Sequence, residues 1–142
     1  MANPDHLAHL HAGDWNDWRK QQPTLAPDLI EADLAGADLR EIDLSKAHLR
    51  GANLTGARLE GTNLQRAIVE GADLQGASLA GTKLDHVQLD FLDLSGLDLT
   101  GASLHAASMR GTNFTRATLR KADLSRCHME RALFDDADLS GA

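Results

Sequence analysis

Residues 52–79 read ANLTGARLEGTNLQRAIVEGADLQGASL. An apolar residue returns at every fifth position: Leu54, Leu59, Leu64, Val69, Leu74 and Leu79. The spacing continues outward in both directions without a slip, from Leu29 to Leu139. It gives 23 apolar centres, of which 18 are leucine. With each centre taken as position i, residue i−2 is Ala in 14 repeats, i−1 is Asp or Asn in 12, and i+2 is Gly in 11.

A period of five matches neither the 3.6-residue helix nor the two-residue strand. In a helix these leucines would be spread over every side. Positions i−2 and i lie two apart and share one face of a short extended segment. The three residues that follow are too many for an uninterrupted strand, so the chain has to turn once per repeat. A type II turn with i+1 and i+2 at its centre needs positive φ at i+2, which Gly supplies without steric cost. In the column starting at Leu44, position i+2 is Lys46, Arg66, His86, Ala106 and Arg126, and a different turn is expected there. One such segment cannot bury its own leucine, but a chain that turns at every fifth residue can wind and stack coil on coil as a solenoid.

The pattern A-(D/N)-L-x-x resembles the pentapeptide-repeat family. Ala52-Asn53-Leu54-Thr55-Gly56 and Ala72-Asp73-Leu74-Gln75-Gly76 fit it fully. The resemblance covers about 115 of 142 residues. It implies an all-β solenoid, a right-handed quadrilateral β-helix with four repeats per coil and about six coils, preceded by an N-terminal capping α-helix. Residues 20 apart then stack. At the ~4.8 Å spacing of paired strands the rod is roughly 25–30 Å tall.

Two parts follow: 1–26, a capping helix and linker, and 27–142, the repeats. All three prolines and both tryptophans precede Asp28. Asn3-Pro4-Asp5 reads as a helix start, with Asn at the N-cap and Pro in the first turn. Leu7, Leu10, Trp15 and Trp18 recur at helical spacing, Arg19 and Lys20 suit the last turn, and Pro23 ends the helix. Leu10, Trp15 and Trp18 are expected to lie over the first coil and cover its edge.

Net charge is −7, and aromatics are 4% of the chain with no Tyr. Direct nucleic-acid binding, which needs a basic face or stacking platforms, is not expected. One cysteine, Cys127, excludes an internal disulfide, and its i−2 position makes it a small core residue. Met1–Gly13 has no basic-then-apolar leader, and no stretch approaches the ~20 apolar residues of a membrane span. The expected location is cytoplasmic.

Nothing in the pattern points to catalysis. His6, His9 and His11 have helix-like spacing without Cys or acidic partners, too weak a pattern for a metal site. The glycines recur as turn residues, not as a phosphate loop. Neither enzyme activity, cofactor nor metal is expected.

Function is sought where the repeat departs from its own chemistry. Val87, Leu92 and Leu97 stand where Ala is usual, Phe91 where Gly is common, and Ile68 where Asp is common. With neighbouring acidic residues, Ile68, Asp90, Phe91 and Asp93 are the candidate partner contacts. At the C-terminal end, Met129, Leu133, Phe134 and Leu139 are candidate dimer contacts. The expected function is a non-catalytic, acidic, rigid protein-binding or scaffold module. The family resemblance adds an alternative, a DNA mimic that binds DNA gyrase or topoisomerase, inhibiting it or protecting it from quinolones. A targeting module of a larger assembly is a further alternative. Replacing Leu74 and Leu94 together with Lys is expected to unfold the repeats, since two stacked core positions would each bury an unpaired charge. Loss of the cooperative thermal transition by circular dichroism is the readout.

Overall fold

The computed structural model describes residues 1–142. Two short helices, α1 (Pro4–Ala12) and α2 (Trp15–Gln21), come first. From Pro27 onward the chain repeats one unit: an extended pair of residues, then a turn. Parallel bridges join residues 20 apart, such as Asp33 to Asn53 and Asn53 to Asp73. Four repeats therefore make one coil. Five full coils, residues 27–46, 47–66, 67–86, 87–106 and 107–126, are followed by residues 127–142 of a sixth.

No continuous strand forms, which corrects the all-β expectation in one respect. The coils are joined by 18 single-residue bridges, because the turn returns before a second residue can pair. The helical part is corrected too. A single helix running to Pro23 is replaced by two, broken at Gly13, whose φ of 77° ends α1 with its N–H bonded to Leu10 O. Asn3 starts α1 as expected, its side chain accepting the N–H of Asp5.

The core is a stack of leucines closed by small residues at i−2. Leu29, Leu44, Leu49, Leu54, Leu94 and Leu99 are 0% exposed, and each contributes roughly 1.5–3 kcal/mol on burial. Where Thr replaces Ala at i−2, its hydroxyl turns to a backbone carbonyl: Thr62 to Leu39 O, Thr82 to Leu59 O and Thr112 to Leu89 O, at 2.6 to 2.8 Å. Cys127 does the same, its Sγ 2.9 Å from Leu104 O. Phe114 and Phe134, one coil apart, stack with centroids 5.2 Å apart.

All 23 turns have one conformation. Position i+2 carries positive φ at its 11 glycines and equally at its 12 other residues, from Glu31 to Asp136. Position i+1 does not, so the turns are of type II. The column beginning at Lys46 follows suit, with φ of 61°, 59°, 60°, 56° and 59° at Lys46, Arg66, His86, Ala106 and Arg126. The expected change of turn does not occur. Stacking dictates the turn, and non-glycine residues accept a left-handed conformation costing roughly 1–2 kcal/mol. Lys46→Gly is therefore expected to raise stability by about 1 kcal/mol and Gly76→Ala to lower it by a similar amount. Chemical denaturation midpoints at constant m-value check both.

Candidate protein-binding surface

The lower end of the rod is closed by side chains that imitate a further coil. Trp15, 1% exposed, sits in the core, and its ring N–H donates to Asp43 O at 2.7 Å. The amide of Asn16 donates to Glu41 O and accepts from the N–H of Asp43, both at 2.9 Å. It thus stands in for a backbone peptide on the open edge. Arg19 is buried rather than projecting as a last-turn cation. Its guanidinium donates to the carbonyls of Gln22, Leu25 and Ser45. Leu10 and Trp18 are partly buried against the same core. Sequence reasoning missed Asn16 and Arg19, since neither departs from an ordinary polar helix face.

The histidines of α1 are engaged in this end. His6 Nδ1 accepts the N–H of Asp28 at 2.9 Å, which places its proton on Nε2. His9 stacks on Trp18 with centroids 4.8 Å apart and meets Asp14 at 3.0 Å. No group of three His, Cys, Asp or Glu residues converges anywhere on the molecule.

The fourth coil holds most of the residues singled out for partner contact. Val87, Leu92 and Leu97 point inward, 0%, 6% and 4% exposed. Phe91 points outward from a turn with φ of 62° and is 80% exposed. Its ring lies over Gly111 of the coil above. A Cβ on Gly111 would come within 2.7 Å of Phe91 Cδ1, so the absence of a side chain there makes room for the ring. Gly71, below Phe91, faces open space. Ile68, 37% exposed, bridges His48 and Gln88, and the Phe91 ring turns toward the opposite coil. A notch of about 270 Å³ lies between Glu70, Gln88, Asp90 and Phe91.

The carboxylates here also hold backbone. Asp93 Oδ1 accepts the N–H of Ser95 and the side-chain amide of Asn113. Asp90 Oδ1 accepts the Ser108 hydroxyl at 2.7 Å and the Arg110 N–H at 2.8 Å. In the fifth coil Ser108 occupies the site where Asp or Asn would cap that amide, and Asp90 reaches up from below to do it. Ion pairs climb the same column: Arg50 to Glu70 at 2.9 Å and Arg110 to Glu130 at 3.5 Å. Being exposed, they add little stability.

At the upper end Met129, Leu133 and Leu139 are 39%, 49% and 40% exposed. Phe134 is half-buried on Phe114.

The repeat model for pentapeptide repeats matches in 8 copies spanning residues 28–66, 62–101, 83–120 and 112–142. No curated protein matches the sequence. Among solved structures, a pentapeptide repeat protein from the Arabidopsis thaliana thylakoid lumen is 33% identical, covers 70% of this chain and 69% of its own, and superposes with a TM-score of 0.64. Rfr23, from the cyanobacterium Cyanothece 51142, is 22% identical over 87% of this chain and 96% of its own, with a TM-score of 0.58. QnrB1, a plasmid-mediated fluoroquinolone resistance protein, is 21% identical over 79% of this chain and 64% of its own, with a TM-score of 0.47.

The two largest electrostatic perturbations, at Asp38 and Asp138, both lie outside the fourth coil. Arg40 Nε and Nη2 donate to Asp38 at 2.8 and 2.6 Å, and this hydrogen bonding holds the Asp38 carboxyl at about 2, below its ordinary 3.8. A folded-state value below the unfolded one means the pair stabilises the fold above about pH 4 and is lost as pH falls toward 2. NMR titration is expected to show the Asp38 midpoint near 2 and its return toward 3.8 in Arg40→Gln. An unchanged midpoint in that variant would show that Arg40 is not the cause.

The 20-residue coil, the five-residue turn and the match across residues 28–142 agree, and the chain belongs to the pentapeptide-repeat family.

Proposed function

We propose that this chain is a non-catalytic scaffold, a right-handed quadrilateral β-helix that presents its fourth coil to a protein partner. Residues 1–26 serve as the cap and 27–142 as the binding body. The observation that carries the reading is Phe91. A large aromatic held 80% exposed, in a backbone conformation unfavourable for any side chain, gains little for the fold and is suited to a contact surface. Asp90 and Asp93 beside it favour a partner with basic groups. Pentapeptide-repeat proteins are generally structural or binding modules, which supports a non-catalytic role. A cytoplasmic location belongs to the same proposal, as does pairing of two copies through Met129, Leu133, Phe134 and Leu139. Light scattering showing only monomer at high concentration would remove the pairing.

A narrower reading, a DNA mimic acting on gyrase or topoisomerase, is favoured by the net charge of −7 on a narrow rod. A supercoiling assay showing neither inhibition nor protection from quinolones over a wide titration would remove it.

The scaffold reading is tested by pull-down with Phe91→Gly and with the pair Asp90→Asn and Asp93→Asn. Asn keeps an oxygen for each cap, so stability is expected to stay within about 0.5 kcal/mol. Phe91→Gly is expected to remove partner capture and the Asn pair to weaken it. Unchanged capture by both would refute the assignment of this surface.

A further inference from the structure

Adjacent coils are joined by a regular ladder of backbone hydrogen bonds, three per repeat and twelve per full junction. In the first junction Leu29 N–H reaches His48 O, Glu31 N–H reaches Arg50 O, and His48 N–H returns to Pro27 O, and this set recurs on all four faces. The junctions between coils 1 and 2, 2 and 3, and 4 and 5 are complete.

In the junction between coils 3 and 4 only five of the twelve bonds keep full hydrogen-bond geometry. The N–H groups of Val69, Gly71, Leu74, Gly76, Gln88, Asp93 and Asp98 fall short of full hydrogen-bond geometry to their ladder carbonyls, although the Ile68–Gln88 and Ser78–Asp98 pairings persist as bridges. The Asp73–Asp93 bridge is the one missing from the series. There the Gln75 side-chain amide donates to Asp93 O at 3.1 Å, taking the place of the Leu74 N–H. The far side stays closed: Leu79, Gly81, Leu84, His86 and Ser103 keep their bonds.

The gap has a steric cause. Val87, Leu92 and Leu97 stack above Ala67, Ala72 and Ala77, all buried. Their added methyl and isopropyl groups need core volume at three successive corners, and interiors are too closely packed to absorb it. The one position without a bridge, at Asp73 and Asp93, adjoins Leu92, the middle of the three. Ile42, also large at i−2, opens nothing, because the first coil has no coil beneath it to lift.

We propose that this one-sided seam is a joint, built by the Val87–Leu92–Leu97 wedge, which divides the repeats into two units, 27–86 and 87–142, that open separately. Solenoid stability is a sum of repeat and nearest-neighbour terms, so the junction whose ladder is loosened at seven of twelve bonds and broken at one of four bridges is where cooperativity breaks. The closed bonds from Leu79 to His86 act as the hinge side. Asp90, Phe91 and Asp93 ride on the lip of the upper unit, so the joint sets their angle to the first three coils.

The test is native-state hydrogen exchange on the full chain over a denaturant series. The seven seam amides are expected to exchange about tenfold or more faster than their bonded counterparts one coil below: Leu49, Gly51, Leu54, Gly56, Ile68, Asp73 and Ser78. Amides of coils 1–3 and of coils 4–6 are expected to follow two opening curves, with the boundary between His86 and Val87. Replacing Val87, Leu92 and Leu97 together with Ala is expected to protect the seven and merge the curves. Equal protection of the two sets, or a single curve in the unsubstituted protein, overturns the joint. Two curves persisting at the same boundary in the folded triple variant overturn the wedge as its cause. Where the triple variant does not fold, the unsubstituted protein decides the joint and Leu92→Ala alone decides the wedge.

Discussion

Each repeat has five backbone N–H groups, and the fold rests on pairing four of them with backbone carbonyls. The N–H of i+3 closes the turn on the carbonyl of i, as Ala52 does on Leu49. Those of i and i+2 reach the coil above and that of i−1 the coil below. The fifth, at i+1, points at no backbone acceptor. All 12 Asp and Asn residues at i−1 supply it with a side-chain oxygen, from Asp28 for Ile30 to Asp138 for Ser140. A buried or half-buried amide left unpaired is costly. The Asp and Asn at i−1 are therefore structural before they are anything else, and part of the net charge of −7 follows from backbone chemistry.

Charge alone is thus a poor guide to function in this molecule. Asp93 caps its own turn, and Asp90 caps the turn above. Phe91 is different: its position asks for no side chain, and the coil above leaves Gly111 bare to accommodate the ring. In the proposed reading, the specificity of the fourth-coil surface would come from that aromatic, with the carboxylates as a fixed electrostatic background.

The repeat made the architecture legible from sequence. A slip-free five-residue register leaves one economical way to bury 23 apolar centres, and the Ala and Asp columns fall into the roles the geometry requires. Three features were hidden. The conformation at Lys46, Arg66 and His86 followed the stack, not the residue, because coil-to-coil bonds outweigh the local cost of positive φ. The closing end used Asn16 and Arg19, whose partners lie more than twenty residues away at Glu41 and Ser45. The swollen corners at Val87, Leu92 and Leu97 were visible as oversized residues. That they would part the ladder on one side only depended on which neighbour could move.

The coil of 20 residues also gives the molecule a phase. Adding or removing a whole coil would shift everything above it along the axis and leave each face pointing as before. Adding a single five-residue repeat below the fourth coil would swing Phe91 a quarter turn, onto the next face of the square. Length changes in such a chain are rotations as well as translations. The azimuth of a contact surface relative to the helical end is quantised in four steps, and two homologues differing by one repeat would present the same residues in perpendicular directions.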